Sequence, residues 1–374
     1  MAKIYHEFNG NPKRTTDAAC PAFDQHFACK AETVIRPVHL AFPCLFAHIG
    51  VGFYPCSATD RAATSAARYR DLVRSTNESM LTRDLHIARR SWTPHEAYRF
   101  CERITHDHYE NFPVASLFLP REKRKHVCAI YAFARIADDF ADEPGLTLAE
   151  RIESLNEWEE QLAEVYRGQA THPVFIALRE TIDRFEIPHY LFHNLLTAFR
   201  SDVTTHRYET FDNVLEYCTN SANPVGRLVL LLFNYRSEGM MELSDSLCTA
   251  LQLANFWQDV SVDLDKDRIY IPQEDIREFG YSEEQLFSRQ VTQEFKDLLM
   301  FQVERTERLF QEGKPLLSAV GRDLAFELRL TWHGGMRILR KIDRLGYNVL
   351  THRPTLSRID KAEILLKAFI NTRS

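Results

Sequence analysis

The sequence predicts an all-α protein, and three observations carry that prediction. Helix-start signatures are followed by apolar residues at three- and four-residue steps, no convincing run of alternating strand residues occurs, and two acidic pairs stand at helical spacing. Thr93-Pro94-His95-Glu96 combines an N-cap Thr, a Pro at the first helical position and a Glu at N3, a capping box that opens the compact region. Thr147-Leu148-Ala149-Glu150 repeats the device, and Ile152, Leu155, Trp158, Leu162 and Val165 follow until Gly168 ends the run. Ser282 with Gln285 opens another helix, whose periodic face continues through Phe295, Leu298, Leu299, Val303, Thr306, Leu309 and Phe310. Leu324, Leu328, Ile338, Leu339 and Ile342 mark a further helix or pair. Pro188, Pro224, Pro272, Pro315 and Pro354 fall at loop or helix-start positions. No tandem repeat, Gly-rich phosphate loop or GxGxxG fingerprint is present, so nothing encodes a dinucleotide-binding unit.

Composition narrows the function class. The formal net charge is −6 and no Lys/Arg-rich block occurs, which argues against nucleic acid as a partner. Eight Cys without CxxC or Cys/His spacing fit reduced packing thiols in a cytoplasmic protein, Cys101 among them. Residues 1–92 differ from the rest. They hold 12 Lys/Arg against 8 Asp/Glu, or +4, leaving −10 for residues 93–374. The apolar stretch from Pro37 to Cys56 is broken by Pro43 and two His, against a spanning helix. A weakly ordered extension over 1–92 and an all-α domain over 93–374 are expected. A membrane-surface or transit role for the extension is the lesser reading, and Met80 is a candidate start.

Asp138 and Asp142 in YAFARIADDFADE, and Asp259 and Asp263 in LQLANFWQDVSVDLDKDRIYIP, are pairs at i, i+4. Such residues share a helix face with Cβ atoms roughly 5–6 Å apart, and two like charges there are unfavourable. Mg²⁺, held by one or two carboxylates together with substrate phosphate oxygens and water, is a common compensation. Both pairs terminate apolar, aromatic helices: Tyr131, Phe133 and Arg135 precede the first, Leu251, Leu253, Phe256 and Trp257 the second. Facing helices of this kind would enclose a cavity with a charged mouth and an apolar floor, suited to a diphosphate head on a hydrocarbon tail. Arg135 and Arg268 are candidate diphosphate contacts, with a salt bridge to a neighbouring Asp as the alternative. His106 and His108 flank Asp107, but alternate residues point apart on a helix, against joint ligation. His333-Gly334-Gly335 reads as a close helix contact. The C-terminal ILLKAFINTRS is amphipathic and too short to span a bilayer.

At these residues the chain resembles the squalene and phytoene synthase family from about Thr105 to Pro354. HDHYENFPVASLFLP (His106 to Pro120), YCTNSANPVGRLVL (Tyr217 to Leu230) and LANFWQDV are most similar to its hydroxysqualene synthase branch in the bacterial hopanoid pathway. The resemblance implies an isoprenoid-synthase helical fold with a central apolar cavity. It implies Mg²⁺ binding by Asp138, Asp142, Asp259 and Asp263, with Asn255 beside them, and diphosphate contacts from His108, Arg135 and Arg268. Phe112, Tyr131, Tyr217, Gln252 and Tyr270 would line the cavity, and Gly226 would allow close helix approach or a kink. Two departures stand out. Many members that join two farnesyl diphosphates carry Arg just before the second pair and a more acidic motif, where this chain has Gln258 and Val262. Less positive charge is then expected at the diphosphate.

The first reading is therefore Mg²⁺-dependent ionisation of presqualene diphosphate, with water capturing the cation to give hydroxysqualene. The alternative is head-to-head condensation of two prenyl diphosphates to presqualene diphosphate, squalene or phytoene; a third is a catalytically silent isoprenoid-binding scaffold. Peripheral membrane contact and neighbouring squalene-pathway enzymes are the partners expected beside the substrate.

Overall fold

The computed structural model describes residues 91–107, 119–142 and 145–370. The expected extension and Met80 lie outside the described residues, apart from Ser91 and Trp92; so do His108 and Phe112. The described chain is helical throughout, its β-structure limited to an isolated bridge between Arg207 and Ile269. The helices are α1 (Pro94–Asp107), α2 (Arg121–Asp142), α3 (Leu148–Tyr166), α4 (Pro173–Phe185), α5 (His189–Thr204), α6 (Phe211–Ser221) and α7 (Asn223–Leu232). Then come α8 (Glu238–Leu264), α9 (Gln273–Glu278), α10 (Glu283–Phe287), α11 (Gln293–Gly313), α12 (Leu316–Ala319), α13 (Arg322–Arg344) and α14 (Arg358–Ile370).

Local chemistry starts these helices where expected. At α1 the Glu96 carboxylate accepts from the Thr93 backbone N–H at 3.0 Å while Thr93 Oγ1 accepts from the Glu96 N–H at 3.3 Å. Thr147 and Glu150 form the same reciprocal pair at α3. One expected continuity fails. The face read as running on from Ser282 is two helices, because α10 ends at Phe287 and Arg289 takes a left-handed φ of 52° before Thr292 caps α11. The apolar period survives the interruption because both pieces pack inward, so periodicity alone could not show the break. The Leu324–Ile342 pattern resolves as one helix, α13.

Two long helices organise the core. α2 packs among α1, α3, α4 and α5, while α8 packs against α7, α11 and α13. Small residues allow the close approaches around α8. A Cβ at Gly226 would collide with Ser244 and Cys248, and one at Gly335 with Phe310 and Leu251, as the close-contact readings of both glycines require. At Gly313 the obstacle is backbone: Leu247 N at 2.8 Å and Leu243 O at 2.9 Å. Trp257 is fully buried at the α8–α11 contact, where its Nε1–H donates to Thr306 Oγ1 at 2.8 Å. Among the described residues no helix is long and apolar enough to cross a membrane.

Gly313→Val should therefore destabilise the fold by about 1–3 kcal/mol through overpacking against an immovable neighbour. Urea unfolding of the purified variant reads this directly, and a midpoint equal to the parent's would refute the packing account.

Candidate active site

Asp138 and Asp142 lie in the last turn of α2, Asp259 and Asp263 in the last two turns of α8, and neither helix has a basic residue in its last turn. A helix C-terminus carries partial negative charge, so each carboxylate there is unfavourable by roughly 0.3–1 kcal/mol. Burial adds to this. Asp138 and Asp259 are 7% and 3% exposed. Desolvation pushes the Asp138 carboxyl well above the usual range against the pull of Arg135, and Asp263 is raised by burial and then by Asp259.

Basic groups meet these acids from three directions. Arg135, one turn back on α2, reaches Asp138 Oδ2 at 3.2 Å and also pairs with Asp139. The segment after α8 supplies Arg268 and Lys266, whose nitrogens lie 3.7 Å and 4.0 Å from the Asp142 carboxylate. That segment is pinned by Arg268 N–H to Asp263 O (2.9 Å) and Ile269 N–H to His206 O (3.0 Å). Arg353 comes from the coil before α14 and grips Asp259 with two nitrogens, Nη2 standing 3.1 Å from Oδ2; Asn255 Nδ2 donates to the same oxygen at 2.9 Å. Both pairs therefore converge on the Lys266–Arg268 loop, with Arg353 on the α8 side.

Gln258 faces Pro354, donating to its carbonyl at 2.6 Å, and the residue beside that proline delivers a guanidinium to Asp259. Arg353 stands 94 residues further along the chain than the carboxylate it holds.

A fifth carboxylate was missed in the sequence. Asp202 on α5 is 3% exposed; Tyr217 donates to its Oδ1 at 2.9 Å, and Arg268 Nη2 donates to its backbone carbonyl at 3.0 Å. Burial pushes its carboxyl up to about 6, opposed by Arg268. Its signal was present: an acid ending the apolar face Leu195, Ala198 and Phe199 of α5 at helical spacing. Tyr208 was missed as well. It stacks on Tyr270 with centroids 5.6 Å apart, Tyr270 lies parallel to Phe256 at 3.7 Å, and Tyr217 closes the group at 5.9 Å from Phe256. Arg353, in coil between His352 and Pro354, left no local signal.

A narrow cleft, partly open to solvent, is lined by Phe256, Val260, Asp263, Arg268 and Tyr270 among others. On the helices and segments that carry the site, buried polar atoms lack protein partners: Arg135 Nε, Arg268 Nη1, Asp202 Oδ2, Tyr208 Oη and both side-chain polar atoms of Gln252. Leaving one such group unsatisfied costs roughly 1–3 kcal/mol, so several in one place point to partners from outside the chain. Tyr131 is buried on α2, one turn before Arg135. Of the expected site residues, all except His108 and Phe112, which are not described, occupy this region or the α2 and α8 faces leading into it.

The residues present fit a divalent cation. Among the described residues no three His, Cys, Asp or Glu side chains form a closed protein cage. Mg²⁺ does not need one, since it takes one or two carboxylates with water and phosphate oxygens, and Asp202 has a buried oxygen to spare.

Comparison with known proteins agrees with this architecture. Residues 105–360 match the squalene/phytoene synthase family model, most of the chain, and the protein belongs to that family. It is 37% identical over 212 residues to a hydroxysqualene synthase of Sinorhizobium fredii, covering 56% of this chain and 71% of the relative. It is 28% identical to a phytoene synthase of Arthrospira platensis, covering 70% and 88%. A crystal structure of a squalene synthase from Alicyclobacillus acidocaldarius is similar with a TM-score of 0.66 and 41% identity, over 68% of this chain and 96% of that one.

The raised Asp202 carboxyl fixes the sign of a pH effect. The folded protein holds that proton more tightly than the unfolded chain does. Stability from this group is complete below about pH 4 and is lost as pH rises to about 6. In chelator-treated protein, Asp202→Asn should therefore raise the thermal midpoint at pH 7.5, by an equivalent of roughly 2–3 kcal/mol, and the gain should shrink at pH 5. Equal midpoints at pH 7.5 would contradict the burial penalty.

Proposed function

We propose that this protein ionises presqualene diphosphate and lets one water capture the resulting cation, releasing hydroxysqualene and diphosphate as a carbon–oxygen lyase. The observation that carries the reading is the convergence of both acidic pairs on Arg268 beside an aromatic cluster. Asp138, Asp142, Asp259 and Asp263 would hold Mg²⁺, aligned by Asn255. Bound there, Mg²⁺ would neutralise charge as diphosphate departs.

The chain's own groups account for the rest. Arg135 and Arg268, each with a buried nitrogen unpartnered, are aimed to donate to diphosphate oxygens, and Lys266 and Arg353 add charge at the two pairs. The carbon–oxygen bond breaks with its electron pair leaving on diphosphate, and the cyclopropane opens. Tyr208, Tyr217, Phe256 and Tyr270 present ring faces, with Tyr131 further back on α2, that stabilise positive charge without attacking it. Burial raises the Tyr217 and Tyr270 hydroxyls, so both stay protonated and non-nucleophilic. Water then forms the new carbon–oxygen bond and gives up one proton, so no reductant is consumed. Similarity to a hydroxysqualene synthase at 37% identity supports this branch over condensation.

Head-to-head condensation is the second reading, favoured by the similarity to phytoene synthases. Incubating the protein with presqualene diphosphate alone and with farnesyl diphosphate alone separates the two: alcohol from the first and nothing from the second is expected. Turnover in ¹⁸O-water should label the hydroxyl, and unlabelled alcohol would rule out water capture. Asp138→Asn should lower turnover at least about 100-fold at saturating Mg²⁺. Undiminished turnover would remove Asp138 from the metal site, and a parent protein inert toward every prenyl diphosphate would favour the scaffold.

A further inference from the structure

We propose that the outer face of α14, with the basic side chains around His333, docks on an anionic lipid bilayer surface. Ile359, Leu366 and Ile370 stand seven and four residues apart along one edge of that helix, and they are 73%, 60% and 60% exposed. Phe369 lies beside them, half exposed although its ring meets Phe326 at 4.6 Å. The opposite edge is committed to the protein, with Ile364 and Ala368 buried against α13 and Leu330. A helix with one apolar edge in the core and another in water has the amphipathic form of an interfacial element.

Charge selects the occupant. Lys367, next to Leu366, acts on His333 together with Arg340, Lys314 and Arg329; burial first, and then this basic surround, hold the imidazole down at about 4, uncharged at neutral pH. Among the described residues none of these four cations forms an ion pair with a carboxylate. The two acids of α14 are engaged by α13: Asp360 pairs with Arg337 at 3.3 Å and Lys341 at 2.7 Å, and Glu363 pairs with Arg337 as well. An apolar stripe on a helix that carries Lys367, with the further cations around His333, complements acyl chains beneath anionic headgroups. A lipid destination also suits an apolar alcohol leaving the cavity. That last link rests on the proposed reaction, whereas docking does not, and vesicle binding is read without substrate.

Full-length protein is floated with vesicles of phosphatidylcholine alone and of phosphatidylcholine with about one third phosphatidylglycerol. Flotation with the anionic vesicles only, weakened by salt, is expected. Leu366→Glu with Ile370→Glu, and separately Arg340→Glu with Lys367→Glu, should each lower the bound fraction at least about tenfold while circular dichroism and turnover of detergent-dispersed substrate are unchanged. Parent protein that stays unbound with both vesicle types, or a Leu366/Ile370 variant that floats like the parent, would overturn the proposal. So would a dimer seen by light scattering that the same variant splits without any vesicle binding, because a second copy would then cover the face.

Discussion

Charge held out of water is the constraint on which this molecule turns. Asp138, Asp202 and Asp259 are almost fully buried within one region, with Asp142 and Asp263 at its margin. Like charges so placed would repel one another and would each forfeit hydration. The fold answers with Arg268, which bridges α5, α2 and the end of α8, and with Arg135, Lys266 and Arg353 around it. Compensation is incomplete, since Asp138 and Asp263 remain raised and Arg135, Arg268 and Asp202 retain unsatisfied atoms. A site with acids in excess on one side and spare cationic donors on the other would be balanced by a divalent cation carrying a polyanion.

The same region departs from the local rules that the rest of the chain follows. Elsewhere α1, α3 and α6 open with capping boxes, α4 closes on left-handed Glu186, and the helices bury apolar faces. α2 and α8 instead end in carboxylates, against their own dipoles, where a basic residue would be favourable. Local and global preferences conflict in this way at functional sites, where stability is given up for chemistry. Beneath the acids the Phe256–Tyr270 stack and its neighbours form a wall without nucleophiles. On the proposed reaction, diphosphate departure and cation shelter would occupy adjoining surfaces.

Much of this was legible along the chain. Tyr131, Arg135, Asp138 and Asp142 fall at helical spacing on α2, and Gln252, Asn255, Asp259 and Asp263 do so on α8; each face can be read within its own segment because backbone geometry sets it. Asp202 was only half legible, since an acid at the end of an apolar face means nothing until another helix presents Arg268 to it. Arg353 was not legible at all. The break between α10 and α11 was hidden because an apolar period records which side is buried, not whether the backbone is continuous.

The sequence by itself determined the helical class, the capped helix starts, the two carboxylate faces and the aromatic segments beside them, because these depend on interactions within a few residues. Only the tertiary structure decided that the faces converge, that Asp202 joins them, that Arg353 reaches Asp259, and that one edge of α14 is left in water. Those outcomes follow from contacts between segments far apart in the chain, formed as the core packs. No local pattern encodes which distant side chain will arrive.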